Sequence, residues 1–134
     1  MWLAHIVAVA SFAIWAQPHS CDTETIDAMA WVESRGNTFA VGGSGERGLL
    51  QVIPKWSVVP GLLLHVPAVG RMEGCRILQR WQRRAKGNKF LALQAYNGGN
   101  PGLKNECTKC TSYAKAVLRR KRHMRRARVH RRRY

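Results

Sequence analysis

Acid is scarce in this chain of 134 residues: seven Asp and Glu stand against 23 Lys and Arg, for a formal net charge of +16. A chain so short of carboxylates offers few groups for acid or base chemistry by the Asp/Glu route, and each can be weighed singly. A second ligand pair to accompany the lone CxxC, Cys107 and Cys110, is also missing. His65, His123 and His130 fall at no spacing that would complete a four-ligand zinc site, so no metal and no cofactor is expected. Neither internal repeats nor runs of alternating apolar and polar residues occur, which leaves a mostly α-helical chain. No apolar run reaches the roughly 20 residues that cross a bilayer. The length suits one domain and is too short for two cores.

The ends of the chain differ from its middle. Residues 1–16, MWLAHIVAVASFAIWA, are nearly all apolar, close on a small residue and are followed by the polar QPHSCDTET. They read as a secretory signal peptide cleaved near Ala16, although its n-region has His5 and no Lys or Arg. Cys21, Cys75, Cys107 and Cys110 fit export, since an even cysteine count outside the cytosol usually means disulfides; three pairings are open. The other end, residues 119–134, is RRKRHMRRARVHRRRY and contains no acid. It reads as a basic, Arg-rich tail that holds anionic envelope surfaces or nucleic acid without sequence reading, because only Tyr134 could stack on a base. Residues 17–118 are then the functional body.

Within that body, Ile26, Met29, Ala30 and Glu33 recur at i, i+3, i+4 and i+7, the spacing of one helical face. The helix is predicted from about Asp22 to a stop at Gly36. Glu33 thus falls on an apolar stripe, where a carboxylate costs several kcal/mol unless it is paired, hydrogen-bonded or protonated. An ion pair with Arg35 or Arg47 would be the plain structural explanation. VGGSGERGLLQVIPKW follows as a Gly-rich loop opening onto a short extended segment. VVPGLLLHVPAVG, broken by Pro60 and Pro67, is predicted to be a buried, irregular connector. Next comes an amphipathic helix with Ile77, Leu78, Trp81 and Ala85 on its apolar side, stopped by Gly87, then a shorter one over KFLALQAY. A last helix begins near TSYAKAVLRR and can run on into the basic tail.

Three short motifs lie along this body: ES at Glu33 and Ser34, GLLQ from Gly48 to Gln51, and AYNGG from Ala95 to Gly99. In this order, from about Asp22 to Leu118, the chain resembles the lytic transglycosylases of the soluble-lytic-transglycosylase (SLT) type, whose catalytic domain is similar to goose-type lysozyme. The resemblance implies a single lysozyme-like helical domain with a groove for the glycan strands of peptidoglycan. It carries the catalytic acid onto Glu33 and substrate contacts onto Ser34, Gln51, Tyr96 and Asn97. Two positions depart from the family. Leu50 stands where Met is usual, a mild exchange, and Gly42 stands where members often have a serine that helps activate the substrate, leaving Ser44 to be considered in its place.

The residues themselves permit that chemistry. Glycoside cleavage normally takes two carboxylates, and after Glu33 the chain has only Glu46, Glu73 and Glu106. A single carboxylate suffices if the substrate supplies its own nucleophile. Glu33, with its pKa raised by an apolar pocket, would protonate the glycosidic oxygen and then, as carboxylate, take a proton from the sugar's 6-hydroxyl. The expected product is a 1,6-anhydro-MurNAc end from the MurNAc–GlcNAc β-1,4 bond. Goose-type hydrolysis of that bond, and a non-enzymatic cationic binding protein, are the alternatives. The chain is expected to act as a monomer, exported to the periplasm or cell envelope, or on a virion if a phage encodes it.

Overall fold

The computed structural model describes residues 21–133. The leader read in residues 1–16 lies outside them. Five helices, α1 (Thr23–Ser34), α2 (Pro67–Arg84), α3 (Lys89–Gly98), α4 (Asn100–Leu103) and α5 (Thr108–Arg131), carry the fold, with 3-10 turns at Pro54–Trp56 and Gly61–His65. Among the described residues the only β pairing is two isolated bridges, Val41 with Arg47 and Arg47 with Val52, which brace the Gly-rich loop. The protein is a mostly helical, lysozyme-like domain.

Local chemistry sets the helix ends. Asp22 caps α1, its carboxylate accepting from the Glu24 amide at 3.1 Å and the Thr25 hydroxyl at 2.8 Å. At the other end Arg35 and Gly36 take left-handed conformations (φ 56° and 81°) and donate to Trp31 O and Ala30 O. That closure stops α1 directly after Glu33 and Ser34. α2 opens with Pro67 in its first turn, where the missing N–H costs nothing. Asn88 caps α3 by accepting from Leu91 N at 3.0 Å.

α1 and α3 lie against α5, and α2 packs on α3. Ile26 and Met29 of α1, Leu78 of α2, Leu93 of α3 and Val117 of α5 meet in the core with Leu50 and Leu64 from the irregular segments. One disulfide, Cys21–Cys75, ties the start of the described chain to α2; the other, Cys107–Cys110, closes the first turn of α5. Of the three open pairings this is the one adopted. The first, bridging a sequence separation of 54, stabilises by about 4 kcal/mol in the chain-entropy model.

One expectation is corrected. The segment before α2 is not a buried connector: Leu64 is fully buried, but Val58 and Leu62 are 57% and 75% exposed and Leu63 and Val66 are exposed too. The two prolines hold it in short turns along the surface, from which Leu64 reaches fully inward and Val59 packs partly buried on the core. At the other end α5 runs on past Leu118 into the basic segment as far as Arg131. Past Leu118 the helix still packs on α1: Arg120 stacks over the Trp31 ring at 3.9 Å, Lys121 pairs with Asp22, and Arg125 and Arg128 reach Glu24 at 2.8 and 3.3 Å. The Lys121 ammonium also matters to Asp22 electrostatically: burial works against its carboxylate, but Lys121 together with the Thr25 hydroxyl and the Glu24 amide outweighs it and holds the pKa at about 2.

The most deeply buried acid is Glu73, 1% exposed. It accepts from Arg76 at 3.1 Å, from Ser57 Oγ at 3.0 Å and from Val58 N at 3.0 Å. Burial pushes its pKa up, and these donors more than reverse the push. Glu73 is a satisfied ion, pinning the connector to α2.

Candidate active site

A cleft of about 870 Å³ opens between α1, the Gly-rich loop, α2 and α3. That size suits a ligand larger than a single small metabolite. Glu33 enters it from the last turn of α1, Gly42, Glu46 and Gln51 from the loop, Trp56 from the first 3-10 turn, Arg80, Trp81 and Arg84 from α2, and Tyr96 and Asn97 from α3. All three motifs therefore meet in one cavity, as their order along the chain led one to expect.

Glu33 is partly buried and, among the described residues, forms no ion pair with Arg35 or Arg47. Burial, with the nearby charge of Glu46 as a smaller contribution, raises its pKa to about 7. The Tyr113 hydroxyl of α5 opposes that shift. It is buried and makes no hydrogen bond of ordinary geometry, yet stands close enough to favour the charged carboxylate. Near neutral pH the Glu33 carboxyl is thus divided between acid and base, the condition under which one group can give a proton and take another.

The polar residues around it are mostly occupied in shaping the loop. Ser34 lies off the cleft lining, its hydroxyl donating to Ala30 O at 3.1 Å and Leu49 O at 2.9 Å. Its hydroxyl ties α1 to GLLQ. The Tyr96 hydroxyl donates to Leu50 O at 2.8 Å, and Tyr96 also flanks the cleft. Gln51, at φ 46°, donates from Nε2 to Gly48 O at 2.9 Å and Ala40 O at 3.3 Å. Asn97 is exposed on the cleft rim.

Gly48 is required by this arrangement: at φ 77° it sits where an added Cβ would overlap the Leu64 carbonyl. Leu50, the departure from Met, is fully buried against Gly74, so the exchange is a matter of core shape. Ser44 does not line the cleft; its amide donates to Glu46 Oε2 at 2.9 Å. It is the Glu46 carboxylate, and not Ser44, that stands beside Gly42, where a Cβ would overlap Glu46 Oε2 and lie 2.8 Å from Gln51 Oε1.

Sequence reasoning missed one wall entirely. Ile77, Arg80, Trp81 and Arg84 of α2, with Lys109 of α5, form an aromatic and cationic side, on which Arg84 stacks over Trp81 at 4.7 Å and donates to Asn100 Oδ1 at 2.9 Å. Trp81 had been assigned to the helix's core side. Trp81 does pack against the core there, and its remaining face, under the Arg84 guanidinium, is turned to the cleft; a tryptophan with arginines one and three positions from it was the available signal. Tyr113 carried no local signal. Among the described residues no three or more His, Cys, Asp or Glu side chains converge as a metal site.

The site thus joins a tunable acid, a glycine-lined loop and an aromatic wall of the kind that sugar rings stack on. Among curated proteins none matches the chain. A family model does match, the transglycosylase SLT domain, over residues 10–118. With the motifs assembled in one cleft and most of its length matched, this chain belongs to the transglycosylase SLT domain family.

Proposed function

We propose that the protein is a peptidoglycan lytic transglycosylase that cleaves the MurNAc–GlcNAc β-1,4 bond and leaves a 1,6-anhydro-MurNAc end. The observation that carries this reading is Glu33, a carboxyl with a pKa near 7 facing a cleft. Protonated Glu33 gives its proton to the glycosidic oxygen as the C1–O bond breaks and the sugar gains oxocarbenium character. The resulting carboxylate takes the proton of the same sugar's 6-hydroxyl, whose oxygen closes on C1. One C–O bond is lost, one is formed, Glu33 recovers its proton, and no water is consumed. The apolar seat of Glu33 is what makes both halves accessible to one group.

Glu33→Gln should preserve the fold, as a near-isosteric change, and abolish release of anhydro-muropeptides from purified sacculi, read by mass spectrometry. Activity within tenfold of the parent would assign the acid to another residue. Hydrolysis of the same bond, as in goose-type lysozymes, is the second reading, and the observation in its favour is Glu46 on the same cleft. Reducing-end rather than anhydro products would select it.

Compartment and docking belong to the same proposal. Both disulfides are formed, with no free cysteine among the described residues, which supports an oxidising location such as the periplasm or cell envelope, or a virion. The exposed arginines at the end of α5 support contact with anionic surfaces or nucleic acid through 119–134. Peptidoglycan glycan strands are the substrate that family membership implies.

A further inference from the structure

Glu46 is an acid that the single-carboxylate mechanism leaves without a task. It lines the cleft with Glu33, its backbone carbonyl accepts from Gly42 N at 2.8 Å, and its Oε2 accepts from the Ser44 amide at 2.9 Å. Those two bonds fold the loop back on itself and set the carboxylate against the bare Cα of Gly42. No Lys or Arg forms an ion pair with it among the described residues, although Arg80, Arg84 and Lys109 line the same cleft. A charge held by neutral amides and facing a sugar-sized space is not neutralised by the fold. Its natural counterpart is positive charge that arises only during reaction.

We propose that Glu46 serves the reaction through its charge: seated in the space that a side chain at position 42 would otherwise fill, its carboxylate stabilises the positive charge that develops on the sugar as the glycosidic bond breaks. Position 42 and position 46 form one device in this account. Glycine at 42 is what lets the carboxylate approach, and any side chain there displaces it. Glu46 forms no bond to the sugar, takes no proton from water and leaves the anhydro product unchanged. The inference rests on the transglycosylase reading above.

Charge at Glu46 has a second effect. Three groups face Glu33: Glu46 from the loop, Tyr96 from α3 and Tyr113 from α5. Of these Glu46 is the carboxylate, and its charge favours the protonated form of Glu33. Removing the charge lets Glu33 ionise at lower pH, so the loss of activity on the alkaline side moves to lower pH.

The test compares the parent with Glu46→Gln, Gly42→Ser and the double variant Gly42→Ser/Glu46→Ala, using kcat, KM, product mass and pH profile on soluble glycan strands. Glu46→Gln keeps an oxygen for the Ser44 amide, so the loop stays in place while the charge is lost. We expect kcat to fall on the order of tenfold or more with KM within about twofold, anhydro products throughout, and the alkaline limb displaced to lower pH. Gly42→Ser should slow the reaction similarly by displacing the carboxylate. The double variant, whose serine fits but carries no charge, should stay slow. A Glu46→Gln enzyme with parental kcat and pH profile would overturn the inference, as would recovery of the parental rate in the double variant, since filled space alone would then suffice. A parent that releases no anhydro product would overturn the transglycosylase reading instead, and the inference with it.

Discussion

At the scale of single residues, Glu33 sets activity against stability. Its carboxyl has a pKa of about 7 in the fold against an ordinary value of 4.5, so between those pH values the folded chain holds a proton that the unfolded chain releases. Stability therefore falls as pH rises through that window. The shift corresponds to at most about 3 kcal/mol, and partial exposure reduces it. Glu33→Gln should match the parent in urea midpoint near pH 4.5 and exceed it by about 1–2 kcal/mol at pH 8; equal midpoints at both pH values would show that the fold does not bear the cost of the acid. Glu33 was legible in the sequence because a period of 3.6 places it on the same face as Ile26 and Met29, and both are buried there. Tyr113 was not legible, since nothing near it in the chain marks its place beside Glu33. Ser34 and Tyr96 were recognised as motif residues, but a motif records that a side chain matters, not whether it touches sugar or a backbone carbonyl.

At the scale of elements, α5 is the piece whose extent the composition obscured. Ten Lys and Arg after Leu118 suggested a solvated tail, and the pairs that contradict this, Lys121 with Asp22 and Arg125 with Glu24, join residues about a hundred positions apart. Truncation after Leu118 removes those pairs, the Arg120 stack on Trp31 and the packing of Met124 on the core. Exposed ion pairs contribute little each, but together with the lost stack and apolar contact the loss should reach about 2 kcal/mol. A truncated chain is thus expected to unfold at lower temperature and to lose activity on small glycans near its melting point. Unchanged melting would make residues 119–134 independent of the fold. α1 and α3 were legible to within a residue or two, because caps and periodic apolar positions agree there. The segment before α2 was not, because apolar composition was taken for burial while its prolines kept most of it at the surface.

At the scale of the whole molecule, the few acids are unevenly placed. Asp22, Glu24 and Asp27 are engaged by Lys121, Arg125 and Arg71, which leaves Arg80 and Lys109 on the cleft wall without ion-pair partners among the described residues. Replacing both with Gln should raise KM about tenfold at low salt for glycan strands that carry anionic peptide stems, from about 0.7 kcal/mol per charge, and leave KM on stem-free glycan unchanged; an equal effect on both substrates would make the wall's charge irrelevant to stems. The same helix that brings Lys109 to the cleft and Tyr113 to Glu33 ends in Arg131, and at about 1.5 Å per residue those last arginines stand nearly 30 Å from Tyr113. A flexible leash would let the cleft wander over a surface to which the arginines adhere. A helical bar would not: if the basic end docks as proposed, the cleft is held at one standoff and one tilt, and cuts should fall in a narrow band at that height.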